Sequence, residues 1–142
     1  MIKQPSVVKK HSFTGHKDAI YALCALNDYE FLSGGADGHI VKWDLNGYAF
    51  GNVVAKVPTS VYSLNYDLLR NHLFIGQNFD GLHVIDLISK REITSLQITK
   101  SNIFDIQFDA NFVYVASGDG AINIVDRESW RLIKLINLSQ KS

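Results

Sequence analysis

Short runs of β-branched and aromatic residues recur along the chain between Gly, Asn and Asp punctuation, while helical periodicity is weak throughout. That alternation predicts an all-β protein. Three times an Asp-Gly pair is followed by a β-rich run that closes on an aspartate: Asp37-Gly38 to Asp44, Asp80-Gly81 to Asp86, and Asp119-Gly120 to Asp126. Successive copies start about forty residues apart, a period that points to radially repeated four-stranded sheets.

Alignment on the Asp-Gly pairs makes the strands legible. First strands are expected at Ala19–Leu23, Ser60–Leu64 and Asn102–Ile106, and second strands at Phe31–Gly34, His72–Gly76 and Val113–Gly118. Third strands follow at His39–Asp44, Leu82–Leu87 and Ala121–Asp126, and outer fourth strands near Ala49–Val57, Glu92–Ile98 and Arg131–Leu138. Each copy is then a four-stranded antiparallel meander. The Asp-Gly pairs suit two-residue hairpin turns with positive φ at both central positions. Their aspartates read as structural, because a metal or catalytic set would converge on one point and these are spread one pair per repeat.

The first copy carries Gly15-His16, then Ser33-Gly34-Gly35-Ala36-Asp37-Gly38, then Trp43-Asp44. In order and spacing this closely resembles a WD repeat. The resemblance implies a β-propeller built of such blades, and a hydrogen-bonded tetrad of His16, Ser33, Asp37 and Trp43 tying entrance loop, second strand, turn and third strand together. The residue types suit that chain: an indole N–H donates only, a hydroxyl both accepts and donates, and an imidazole links to a carboxylate. The second copy has Pro58-Thr59 for Gly-His, Gly76 for the serine and Ile85 for the tryptophan. The third has Thr99-Lys100 for Gly-His and Val125 for the tryptophan, keeps Ser117 and Asp119, and reads as having a turn two residues shorter. Packing of Ile85 and Val125 is expected to replace the tetrad there. The expected division is blade 1 at residues 15–57, blade 2 at 58–98 and blade 3 at 99–142, with residues 1–14 an outer strand, Val7–Phe13, of a blade completed elsewhere.

Propellers of this kind have four to eight blades, so three leave an incomplete ring whose end sheets present apolar faces. The chain is expected to be the opening part of a longer propeller or to self-associate. Its 142 residues, 46% hydrophobic and 20% charged, are those of a folded soluble domain. Fourteen basic against fourteen acidic residues lack the excess of positive charge that a phosphate backbone requires, so nucleic acid is not the expected partner. No run has the length of a membrane span, and the first thirteen residues lack the apolar core of a signal peptide, which makes the cytoplasm the expected compartment. The lone Cys24 lies in an apolar run and reads as a buried, inert thiol.

The resemblance also implies a partner-binding face near the mouth of the central channel. Tyr21, Tyr62 and Phe104 occupy one equivalent position in the three first strands, Ala19, Ser60 and Asn102 lie two residues before them, and Ala36, Phe79 and Gly118 precede the turn aspartates. Aromatic side chains there suit a protein or peptide partner; the competing reading wedges them between blades. His11, His39, His72 and His83 fall at inequivalent positions without metal-ligand spacing and are expected at surfaces or edges. Among the three first-strand windows only Asp105 is charged, so no enzyme, cofactor or metal is expected. The function implied is a non-enzymatic interaction scaffold. Its alternatives are a structural arc that completes a ring with further repeats or another subunit, and a propeller enzyme with a channel-mouth site.

Overall fold

The computed structural model describes residues 6, 8, 12, 15–47 and 51–137, all of it strands, turns and loops. The sequence-expected strand at Val7–Phe13, together with His11, falls largely outside the described residues. Twelve strands run in order: β1 (Ile20–Ala25), β2 (Glu30–Gly35), β3 (His39–Asp44) and β4 (Asn52–Lys56) form blade 1; β5 (Val61–Asp67), β6 (His72–Gln77), β7 (Leu82–Asp86) and β8 (Arg91–Leu96) form blade 2; β9 (Ile103–Phe108), β10 (Phe112–Ser117), β11 (Ala121–Asp126) and β12 (Leu132–Asn137) form blade 3. Every sheet is an antiparallel meander in chain order. The first strands sit side by side at the centre, β1 against β5 and β5 against β9, and the arc is open.

Two apolar layers hold the arc together. Leu32, Ile40 and Val57 of blade 1 meet Val61, Leu73, Ile75 and Ile85 of blade 2. Phe74, Leu82 and Val84 on the other side of blade 2 meet Ile103, Ile106, Val113, Val115 and Val125 of blade 3. Strand alternation explains why blade 2 is apolar on both sides: Leu73 and Ile75 point one way and Phe74 the other, and all three are fully buried. Side chains also reach across blades to backbone, with Ser63 Oγ donating to Ile103 O and Asn65 Nδ2 to Ile106 O, each at 2.8 Å.

The turns differ from the expected two-residue form. Only the glycines take positive φ, at +76°, +78° and +83° for Gly38, Gly81 and Gly120; the three aspartates do not. In blade 1 the Gly38 amide donates to Gly35 O at 3.1 Å, and in blade 3 the Gly120 amide donates to Ser117 O at 3.1 Å. This is a three-residue connection, a tight turn whose last residue is left-handed. Blade 2 places Phe79 at φ +70° as well and closes from the Gln77 amide to Gly81 O.

Strand register corrects the equivalences drawn from the turns. Ser33 pairs with Val41, Ile75 with His83 and Val115 with Asn123. The residues at the Ser33 position are therefore Ile75 and Val115, not Gly76 and Ser117, and the third turn is not shorter than the first. His83 is buried rather than at an edge, and Cys24 is half-buried, its thiol pushed up by desolvation.

Candidate functional site

The polar chain of blade 1 runs between loop, turn and two strands. Trp43 Nε1 donates to Ser33 Oγ at 2.7 Å, Ser33 Oγ lies 2.6 Å from His16 Nε2, and His16 Nδ1 lies 2.9 Å from Asp37 Oδ2. A single donor order satisfies it: indole to hydroxyl, hydroxyl to Nε2, and Nδ1–H to carboxylate. The side chains are nearly sealed, with His16 at 2% and Asp37 at 10% exposed. Burial pushes the Asp37 carboxyl up, but the bonds from His16 and the His39 amide outweigh it and hold it below the usual carboxylate range. The indole forms the wall against which Gly15 lies, so the Gly-His pair is tied to the tryptophan twice.

In blade 3 Val125 is packed in the core as expected, and a polar chain of different residues stands beside it. Thr99, four residues before β9 as His16 is before β1, donates to Asp119 Oδ2 at 3.0 Å. Ser117 Oγ donates to Asp119 Oδ1 at 2.5 Å, and Asn123 Nδ2 to Ser117 Oγ at 3.1 Å. Loop, turn and strand are joined again with different residues. Blade 2 uses Gln77, whose side-chain Nε2 donates to Thr59 O at 2.9 Å, and Thr59 Oγ1 donates to Asn78 O at 2.6 Å.

At the inner strands the register shifts at one place in each blade: between Ile20 and Ala22, between Val61 and Ser63, and opposite Ile103 and Asp105. The skipped residues are Tyr21, Tyr62 and Phe104. A bulge leaves its extra residue out of the ladder and re-aims its side chain, which takes these rings out of the alternation that would bury them between blades. Tyr21 is 49% and Phe104 56% exposed. Tyr21 and Tyr62 stack with centroids 4.9 Å apart and planes 8° apart, and Phe104 meets Tyr62 edge-on at 5.7 Å. The three rings form one continuous strip across the arc, with the Asp105 carboxylate beside it.

Ala19, Ser60 and Asn102 lie next to this strip. Their carbonyls accept from the amides of Ala36, Asn78 and Gly118 at 2.9, 3.3 and 2.8 Å. The residue matching Ala36 and Gly118 is thus Asn78; Phe79 follows it and projects 60% exposed from its left-handed position. Among the described residues no group of three His, Cys, Asp or Glu side chains is placed to hold a metal ion.

A second charged cluster has no counterpart in the sequence reading. Arg127 Nη2 donates to Asp67 Oδ2 at 2.6 Å and to His72 Nδ1 at 3.1 Å, and Nη1 donates to Asp109 O at 2.7 Å. The guanidinium carbon stands 5.3 Å from both the Phe74 and Phe108 ring centres. Burial and then the Arg127 charge lower the His72 pKa, in keeping with an imidazole that accepts at Nδ1. Burial would raise Asp67, but Arg127 and the Leu69 amide prevail and lower it. His72, expected at an edge, is in fact part of the seam between blades 2 and 3. The legible signal was one of position: aligned by register, Asp67 is the counterpart of Leu26 in blade 1 and Arg127 that of Leu87 in blade 2, a charged pair standing where the neighbouring repeat has leucines.

Residues 8–44 match the family model described as WD domain, G-beta repeat. Over 92% of the chain the fold superposes on the WD40 β-propeller domain of Doa1 with a TM-score of 0.78 at 19% identity, covering 44% of that chain. Two computationally designed proteins are also similar: Ika8, with TM-score 0.73 and 27% identity over 89% of this chain and 39% of that one, and Ika4, with TM-score 0.70 and 27% identity over 87% of this chain and 75% of that one. Over 56 residues, 39% of its length, the chain is 38% identical to Ubiquitin fusion degradation protein 3 homolog of Caenorhabditis elegans, of which this covers 6%. The chain therefore spans a small fraction of that relative and less than half of the Doa1 domain. Residues 8–44 thus match a WD repeat, and the chain as a whole has the fold of three blades of a WD40 β-propeller.

Proposed function

We propose that the chain is a non-enzymatic interaction scaffold that binds a protein or peptide on the face bearing the loops that lead into β1, β5 and β9. WD40 propellers generally mediate protein–protein interaction. The observation that carries the reading to this face is the strip of Tyr21, Tyr62 and Phe104, each lifted out of its strand by a bulge. Rings held by their neighbours offer contact area at little entropic cost, the character of a binding hot spot. Phe79, Ala19, Ser60 and Asn102 would frame it, and the cytoplasm is the compartment the sequence favours. Because a relative is named for the degradation of ubiquitin fusions, ubiquitin is the first ligand to test. Titration of labelled ubiquitin should saturate with the wild-type chain and weaken about tenfold or more with Tyr62→Ala or Phe104→Ala. A ubiquitin titration that is equally tight with both variants would remove the strip from the binding face.

A second reading rests on the open arc. Tyr114, Ile122 and Ile124 alternate on the side of blade 3 turned away from blade 2 and are only partly covered, while Leu23 and Val53 are exposed in blade 1. Further blades or another subunit on these sides would make the chain a structural arc within a closed ring.

A further inference from the structure

The two seams between blades end, on the side away from the aromatic strip, in two clefts that the repeat makes directly comparable. In the seam between blades 2 and 3 the cleft is lined by Arg70, Asn111, Asp126 and Glu128, and the Arg127 guanidinium is spent on Asp67 and His72. In the seam between blades 1 and 2 the corresponding positions hold Leu26 and Leu87, and the cleft, of about 380 Å³ against about 330 Å³ for the other, is apolar where the other is charged. Its walls continue into Val54, Leu68 and Ile88, with Leu68 69% and Ile88 74% exposed. Tyr66 lines the floor.

These exposed apolar side chains stand on turns fixed by hydrogen bonds. The Leu26 amide donates to Glu30 O at 2.9 Å, the Leu87 amide to Asn71 O at 3.0 Å, the Leu69 amide to Asp67 Oδ1 at 2.9 Å and the Ile88 amide to Asp86 Oδ1 at 2.9 Å. A concavity built this way needs little ordering when something enters it. The charges at its rim are unequal. Glu30 is engaged by Lys42 at 3.3 Å and by Asn27 Nδ2 at 2.9 Å, whereas Lys90, held left-handed at φ +61°, has no ion pair among the described residues. The Lys42–Glu30 pair cancels, which leaves the single positive charge of Lys90 at the rim.

We propose that this cleft is a second peptide-binding site, independent of the aromatic strip, that takes a short segment with adjacent bulky apolar residues flanked by a carboxylate. The apolar side chains enter between Leu26, Leu87 and Leu68, and the carboxylate pairs with Lys90. Its volume lies in the range of small-ligand pockets, and the charge balance selects an acidic over a basic segment.

The test uses two fluorescein-labelled hexapeptides, Gly-Glu-Leu-Phe-Glu-Gly and its counterpart with lysine for glutamate, titrated with the chain and followed by anisotropy. The acidic peptide should bind saturably and more weakly as salt rises, and the lysine peptide should not bind. Leu68→Ser and Lys90→Glu should each weaken the acidic peptide about tenfold, while Tyr62→Ala, on the other face, should leave it unchanged. Leu68 and Lys90 are exposed, and melting curves identical to wild type would establish that both variants fold; Ile88→Ser provides a second apolar probe. Equal affinity for both peptides, or affinity untouched by Lys90→Glu and both apolar variants, would overturn the proposal. So would failure to bind the peptide together with Leu68-dependent binding to phosphatidylserine vesicles, which would make this a membrane contact.

Discussion

Arg127 and Asp67 lie sixty residues apart in sequence and 2.6 Å apart in space, their ion pair closing the seam between blades 2 and 3. The same position one blade earlier holds Leu26 and Leu87, both packed on the core. One architectural position therefore has two solutions within a single chain.

That duplication predicts how the pair responds to substitution. Removing one member of a buried ion pair leaves a desolvated charge and typically costs about 3–5 kcal/mol, whereas replacing both by apolar residues is often close to neutral. Arg127→Ala should thus destabilise strongly, and Asp67→Leu with Arg127→Leu should recover most of the loss. A remaining deficit of about 1 kcal/mol is expected because Asp67 Oδ1 also accepts from the Leu69 amide. Urea unfolding of the single and double variants measures it.

The same seam should respond to pH. The folded pKa of His72 is depressed below its unfolded value of about 6.5 by burial and by Arg127. The unfolded chain therefore binds the proton first as pH falls, so this contribution is complete above about 6.5 and is lost as pH drops toward the folded pKa. Stability should decline across that window in the wild type and less in His72→Gln. An NMR titration should place the His72 midpoint below that of an unfolded histidine, and Arg127→Leu should raise it.

His16→Ala in blade 1 should leave Ser33 and Asp37 without their partner and cost about 1–3 kcal/mol in thermal or urea unfolding. The buried, continuous chain from Trp43 to Asp37 motivates the figure. An unchanged melting curve would show that the four groups do not act as a unit.

Tyr62 and Phe79 should separate binding from packing. Replacing exposed residues usually shifts stability by less than about 0.5 kcal/mol, so Phe79→Ala should melt as wild type. Tyr62→Ala should lose somewhat more, since its ring lies between Tyr21 and Phe104. A loss of several kcal/mol at either position would assign the ring to the core.

The chain by itself should associate, because among the described residues no further blade stands on the outer sides of blades 1 and 3. Light scattering after size-exclusion chromatography across a concentration series should give a mass that rises with concentration. A constant monomer mass would argue against those sides as contact surfaces.

What was legible in the sequence was local. The meander, the strand centres and the Gly15-His16, Asp37 and Trp43-Asp44 landmarks are written in alternation and short spacings, and the third strands of blades 1 and 3 fall at His39–Asp44 and Ala121–Asp126 as expected. The turns misled because Asp-Gly suits several turn types, and only backbone register distinguishes Ser117 from the true counterpart of Ser33. The bulges beneath Tyr21, Tyr62 and Phe104 leave no mark in composition. Arg127, Asp67 and His72 come together only through blade packing, so their charges look like ordinary surface residues until the arc is assembled.

Sheets whose strands pair strictly in chain order also bear on how this protein comes into being. Each hairpin closes within a few residues of its own turn, and among the described residues blades 2 and 3 each dock on the blade that precedes them in the chain. Such local connectivity favours rapid, vectorial folding as the chain leaves the ribosome. Blade 2, enclosed on both sides, should be the slowest to exchange its amide hydrogens, and the growing end should stay adhesive until the next blade arrives.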